Sequence, residues 1–288
     1  MKRVIVCDSG LGGLNIASRF FSKESKAGEN TELLYFNVYP SATCGFNKLP
    51  SIRAQEEVFR NVLEGIKKYS PDLCLIACNT LSIVYNRLSK WYTPPFPVQG
   101  IVETAVDGMF QALEKEQESS LLILGTKSTV ESKVYENALI DRGIAPERIK
   151  GLACPGLATL LESDPAAEEV RIRIAGYAAE ADKLFSSKQK KLFLGLCCTH
   201  FGFASGIWKS EFAKVSGSGV ELVNPNELPG TGLGANNFKY LSKIDFFPGA
   251  RESMCAYFEQ ISPQIAAGLK TARPEKNLFE FNEEDYCG

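Results

Sequence analysis

Two cysteines stand in look-alike surroundings. Ala77-Cys78-Asn79-Thr80 and Cys197-Cys198-Thr199-His200 each set a thiol directly after an apolar run and before amide, hydroxyl or imidazole residues. A thiol with a pKa of about 8.5 is a weak base until a cation or a helix N-terminus stabilises its thiolate. Both thiols have that setting, because a helical pattern follows each. Two such groups on opposite faces of one carbon can invert it, one removing a proton and the other returning one from the far side. Positioned acid–base groups supply about 10²–10⁴-fold of rate. A carbanion beside a carboxylate also needs fixed dipoles to bear its charge. Ser9, Asn79, Thr80, Thr126, Thr129 and Thr199 are neutral donors near expected strand ends, suited to hold a carboxylate without a metal. Asp8 and His200, the only histidine of the chain, are each placed to orient or tune one thiol.

The same residues have plainer readings. Cysteine is among the most buried residue types, so Cys7, Cys44, Cys74, Cys154 and Cys255 are expected to be inert packing. Asp8-Ser9-Gly10-Leu11-Gly12-Gly13 also fits a tight turn with a helix cap. No metal site is expected: Cys197, Cys198 and His200 lack a C-x-x-C partner, and Cys74 to Cys78 is C-x₃-C within a strand. No nucleotide cofactor is expected either. Gly10-Leu11-Gly12 is followed by Asn15 where a dinucleotide loop needs its third glycine, and no Walker loop is present. Neither Cys78 nor Cys198 opens a C-x₅-R phosphatase loop.

The elements that must position these groups read as an α/β fold, because short apolar runs alternate with longer helical patterns. Strands are expected at 4–7, 33–36, 73–77, 121–124, 192–196 and 220–223, and helices at 54–69 and 129–141. The chain also carries a weak internal repeat. The first strand with its turn resembles Leu122-Ile123-Leu124-Gly125-Thr126-Lys127, and the run into Cys78 resembles the run into Cys198, at nearly the same offset. In open parallel sheets ligands bind at the C-terminal strand edge. Two similar half-domains facing each other would therefore point both thiols into one cleft. Thr93-Pro94-Pro95-Phe96-Pro97 marks a domain boundary and Ser216-Gly217-Ser218-Gly219 a hinge. The expected division is 1–97 plus 212–288 for the first half-domain and 98–211 for the second. From about Pro248 one helix is expected, then a solvated acidic tail through Asn282-Glu283-Glu284-Asp285.

With 288 residues and 44% hydrophobic content, the chain has ample material for a core. A net charge of −2 gives no basic field, so neither nucleic acid nor an anionic membrane is an expected partner. The first apolar run is too short for a signal peptide. Nine cysteines without disulfide-scaffold spacing point to a reducing cytosol, with thiols available for chemistry.

Taken together, several motifs resemble the cofactor-independent aspartate/glutamate racemase superfamily, most closely its glutamate racemases. They are Cys7-Asp8-Ser9-Gly10-Leu11-Gly12-Gly13-Leu14, Ala77-Cys78-Asn79-Thr80, Gln99-Gly100-Ile101-Val102-Glu103, Gly125-Thr126-Lys127-Ser128-Thr129-Val130, Ala153-Cys154-Pro155 with Glu162, and Cys198-Thr199-His200, in the family's order. The resemblance implies two α/β half-domains related by a pseudo-two-fold, each a mostly parallel sheet flanked by helices, with the active site in the cleft between them. It implies Cys78 and Cys198 as the acid/base thiols, Asp8 and His200 as their assistants, and Glu162 near His200. Ser9, Asn79, Thr80 and Thr199 would bind the carboxylate and ammonium of an amino-acid substrate. A cytoplasmic homodimer making D-glutamate for peptidoglycan, without cofactor or metal, is the implied role.

The sequence departs from the family at four places. Where glutamate racemases carry Gly-Asp and then Pro-Tyr-Gly after the second strand, this chain reads Asn37-Val38-Tyr39-Pro40-Ser41-Ala42-Thr43-Cys44-Gly45. Thr43 and Cys44 fill the Pro-Tyr places, and Gly45 survives. By the resemblance these three contact substrate, so the change bears on which substrate is used more than on the reaction. Cys197 replaces a glycine, Phe201-Gly202 replaces Tyr-Pro, and the last 40 or so residues have no counterpart. The alternatives are a racemase or isomerase of another substrate (aspartate, a hydantoin, a maleate-type acid), a decarboxylase, or a non-catalytic amino-acid-binding member. Two matched thiols favour racemisation, since decarboxylation can work with one.

Overall fold

Strand β1, Lys2–Asp8, contains Val4, Ile5, Val6 and Cys7 with no exposed surface. A strand covered on both faces reads as a continuous apolar run, as parallel sheets with helices on each side require. The computed structural model describes residues 1–21, 30–185, 190–217, 219–227 and 234–287. It divides into two units, Met1–Ile101 with Pro229–Gly288, and Val102–Leu228.

The first unit holds a sheet of β1, β2 (Thr31–Asn37), β3 (Leu73–Ile76), β4 (Val98–Gly100) and β9 (Asn237–Ser242), in the order β4-β3-β1-β2-β9. The second holds β5 (Ser119–Gly125), β6 (Ile149–Ala153), β7 (Lys191–Cys197) and β8 (Gly219–Val223), in the order β6-β5-β7-β8. Every pairing is parallel. Read from β4 and from β8, the first four strands of each unit follow one pattern, and β9 is an addition beside β2. The internal repeat is thus a repeated strand topology.

All six expected strands are present, with ends shifted by up to two residues. The three further strands, β4, β6 and β9, are sheet edges. An edge strand is short or interrupted by polar residues, so Val98-Gln99-Gly100 and Ile149-Lys150-Gly151-Leu152-Ala153 carry no continuous apolar run. The expected helix at 54–69 is Ile52–Lys67, begun by Ser51, whose hydroxyl accepts the Ala54 N–H. The expected helix at 129–141 is broken into Lys127–Glu131 and Val134–Asp141. Ser132 causes the break: its hydroxyl donates to the Thr129 carbonyl and accepts the Val134 N–H, and Lys133 takes a left-handed φ of 53°.

The boundaries move as well. The Pro-rich break precedes β4, which pairs in the first sheet, so the first boundary falls at Ile101. The expected division at 211/212 lies inside helix Ser205–Ser216, whose Trp208 and Phe212 are buried in the second unit; that unit continues through β8 to Leu228. The expected hinge is the turn from this helix into β8, with Gly217 at φ 60° and Ser218 outside the described residues.

The C-terminal region holds more than one helix, and within its acidic tail Asn282, Glu284 and Asp285 are exposed. It forms β9, helices Ala250–Ile261 and Pro263–Thr271, and a terminal turn Glu284–Cys287. Leu278 and Phe279 are buried with Val58, Phe59, Val62 and Ile66 of helix Ile52–Lys67.

Candidate active site

In the first unit, β1 ends at Asp8, whose Oδ1 accepts the Gly10 N–H at 2.9 Å, and Tyr35 donates to the Gly10 carbonyl at 2.8 Å. The turn is closed by Gly13, where a Cβ would stand 2.8 Å from that of Ala77 and 2.9 Å from that of Asp8. No larger residue fits there, and the close approach brings the β1 turn against the end of β3. Ser9 Oγ consequently lies 3.2 Å from Cys78 Sγ. Cys78 is the N-cap of helix Asn79–Leu88, its sulfur accepting the Leu81 N–H at 3.5 Å. Asn79 and Thr80 form the buried first turn beside it. An anionic sulfur there meets the positive end of a helix dipole. Asp8 shapes the turn, and the turn sets the Ser9 hydroxyl beside the thiol. Behind them, burial and the Cys74 sulfur at 3.9 Å push the Cys7 thiol well above the ordinary range, and both side chains are fully buried in the core.

The loop after β2 departs from expectation. The Cys44 sulfur is bonded to Cys287, 243 positions away, so it is not a free thiol. The cysteine spacing predicts no disulfide, and this pair corrects that, since no spacing rule reaches across such a separation. Thr43 donates from its hydroxyl to the Glu283 carboxylate, and Gly45 packs under Tyr39, whose Oη would lie 2.6 Å from a Cβ.

In the second unit, Thr126 follows β5 and caps helix Lys127–Glu131, its Oγ1 accepting the Thr129 N–H and lying 2.9 Å from Thr129 Oγ1. Cys198 follows β7 and begins the tight 3₁₀ segment Thr199–Ala204; its side chain caps nothing. The expected α-helix N-terminus is thus absent at this thiol. In its place, His200 Nδ1 lies 3.7 Å from Cys198 Sγ, and Nε2 lies 2.6 Å from Glu162 Oε1 on helix Leu157–Ser163. Burial opposes charge on the ring, but the Glu162 carboxylate and the contacts with Cys198 and Glu162 outweigh it. His200 therefore holds its proton well above the usual imidazole range. Burial raises the Cys197 thiol, and burial with the nearby Cys198 raises Cys154, leaving both protonated. Cys255 is likewise buried and raised, as packing requires.

Among the described residues no group of three or more His, Cys, Asp or Glu side chains converges as a metal site. Nor is any helix among them long and apolar enough to cross a membrane.

Known proteins share this architecture. The family model described as Asp/Glu/Hydantoin racemase matches residues 40–212, more than half of the chain. A glutamate racemase of Aquifex pyrophilus is 28% identical over 272 residues, covering 93% of this chain and 92% of that protein. The solved glutamate racemase of Campylobacter jejuni superposes with a TM-score of 0.63 at 19% identity, over 94% of this chain and 99% of that one. That of Escherichia coli, solved with L-glutamate and the activator UDP-MurNAc-ala, gives 0.60 at 19% identity, over 90% and 95%.

Proposed function

The chain belongs to the Asp/Glu/Hydantoin racemase family, and from that premise we propose that it interconverts the enantiomers of glutamate by two-base proton transfer. One observation carries the reading. Each unit sets a thiol at the C-terminal end of the third strand of the same parallel pattern, Cys78 after β3 and Cys198 after β7.

In this reading the two thiols address opposite faces of the α-carbon. Ser9, Asn79 and Thr80 on one side, with Thr126, Thr129 and Thr199 on the other, hold the carboxylate and ammonium groups. One sulfur, as thiolate, takes the α-proton. The carboxylate bears the developing charge against the surrounding hydroxyl and amide dipoles. The other sulfur, as thiol, gives its proton to the far face. The two sulfurs leave the cycle with protonation states exchanged, ready for the opposite enantiomer. The helix Asn79–Leu88 and Ser9 support the Cys78 thiolate, whereas protonated His200, held by Glu162, supports that of Cys198. The cytoplasm is the proposed location, and D-glutamate for peptidoglycan the proposed product.

The loop holding Thr43 and Gly45 is tied to the C-terminus through Cys44, which favours testing other acids beside glutamate. Each enantiomer of glutamate, aspartate and a panel of amino acids is incubated with the protein in D₂O. Loss of the α-proton signal of glutamate together with decay of optical rotation is the expected result. Exchange confined to another substrate redirects the assignment, and no exchange with any amino acid overturns it.

A further inference from the structure

The C-terminal segment is anchored in two stages. The first does not involve sulfur. The Glu275 N–H donates to the Ser242 carbonyl, Tyr69 donates to the Glu275 carboxylate, Lys243 donates to the Phe279 carbonyl, and Leu278 and Phe279 are buried against helix Ile52–Lys67. The second stage lies beyond Phe279. There Glu283 accepts from Thr43, and Cys287 is bonded to Cys44, with Cα atoms 6.1 Å apart, inside the span that a disulfide requires. Both of these contacts end on the loop after β2, while Phe281, Tyr286 and Cys287 also pack against the core cluster. That loop leaves the C-terminal edge of the sheet next to β1, whose end carries Asp8 and Ser9. Cys44 is buried, whereas Cys287 is half-exposed.

We infer that Cys44 and Cys287 form a reversible thiol–disulfide modification site, whose closure clamps the loop after β2 and tightens substrate binding. The oxidant is a low-molecular-weight disulfide, RSSR, of the glutathione type. The more accessible Cys287 thiolate attacks one of its sulfurs; the S–S bond breaks and one RSH leaves with a proton. The Cys44 thiolate then attacks the Cys287 sulfur of the mixed disulfide and expels the second RSH. Two protein thiols lose two electrons and two protons, and RSSR becomes two RSH. Excess RSH reverses both steps. Because Leu278 and Phe279 hold the first stage in place and Phe281 and Tyr286 pack on the same core, reduction unclamps the loop after β2 without undocking the segment.

The effect on substrate rests on the proposed racemase reading; the site itself does not. The full chain and Cys287→Ser are equilibrated across a series of glutathione ratios. Each sample is mapped for a peptide joining Cys44 to Cys287, melted, and assayed with D- and L-glutamate. In the wild-type chain the joined peptide should vanish under reducing ratios and return on reoxidation. The melting midpoint should drop by about 5 °C or more on reduction. KM should rise about threefold or more, with kcat within about twofold. Cys287→Ser should match the reduced form at every ratio. A joined peptide that never forms, or that persists in the native chain under excess dithiol, overturns the site. A KM response that survives in Cys287→Ser overturns the clamp. If neither form acts on glutamate, the activity assignment falls, while peptide mapping and melting still decide the site.

Discussion

The two thiols occupy matching places in matching topologies, yet their surroundings differ. Cys78 begins a ten-residue α-helix, accepts one of its N–H groups and lies against the neutral hydroxyl of Ser9. Cys198 begins a short 3₁₀ segment, caps nothing, and has a buried imidazole backed by a carboxylate instead. In the proposed reading a helix N-terminus and a hydroxyl support one sulfur, and a titratable imidazole backed by a carboxylate supports the other. A duplicated scaffold thus keeps the position of a reactive atom while exchanging the means of stabilising its charge.

The largest losses are expected at the two thiols. Cys78→Ala and Cys198→Ala should each cut racemisation by about 10³-fold or more, since neither base can serve both faces. Near-normal turnover of either variant, followed by polarimetry, would refute the paired assignment. His200→Asn should cost about 10²-fold and Ser9→Ala about tenfold or less, because the helix N-terminus still serves Cys78. Enantiomers have equal free energies, so kcat/KM falls equally in both directions. The asymmetry appears instead in the α-deuterium isotope effect, which should grow in one direction for His200→Asn and in the other for Ser9→Ala. Growth in the same direction for both would show that the two residues assist one thiol.

Glu162→Gln sharpens the relay. The folded His200 pKa is raised, so its proton, and the stability it adds, are present below the usual imidazole range and lost as pH rises through the raised value. Without the carboxylate that loss comes at lower pH, and the alkaline limb of the pH–rate profile should move acidward. An unmoved limb would remove His200 from the titrating machinery. The smallest effect belongs to Thr126→Ala, which deletes the cap of helix Lys127–Glu131. It should lower stability by about 1 kcal/mol in denaturant titrations, with KM rising less than about tenfold.

The interior strands are legible because burial on both faces writes an unbroken apolar run, as in Val4-Ile5-Val6-Cys7. The edges β4, β6 and β9 are not, since a half-covered strand tolerates Gln99, Lys150 and Lys239. Cys78, Cys198 and His200 could be singled out by residue type and spacing alone. Glu162 could be placed beside His200 only by resemblance, because the 38 positions between them are bridged by tertiary packing. The Cys44–Cys287 bond is illegible for the same reason: nothing local to Cys44 announces Cys287. The broken helix at Ser132 was hidden because a hydroxyl that bonds its own backbone leaves the apolar spacing intact.

The discontinuity of the first unit bears on how the chain is made. Its sheet needs β9 and its core needs Leu278 and Phe279, so that unit cannot close until synthesis has passed Phe279. The second unit is one uninterrupted stretch and can assemble while residues 229–288 are still being synthesised. Birth order therefore inverts sequence order: the half carrying Cys198 matures first, and the half that begins at the N-terminus waits, with β2 lacking its β9 neighbour, until the final helices emerge.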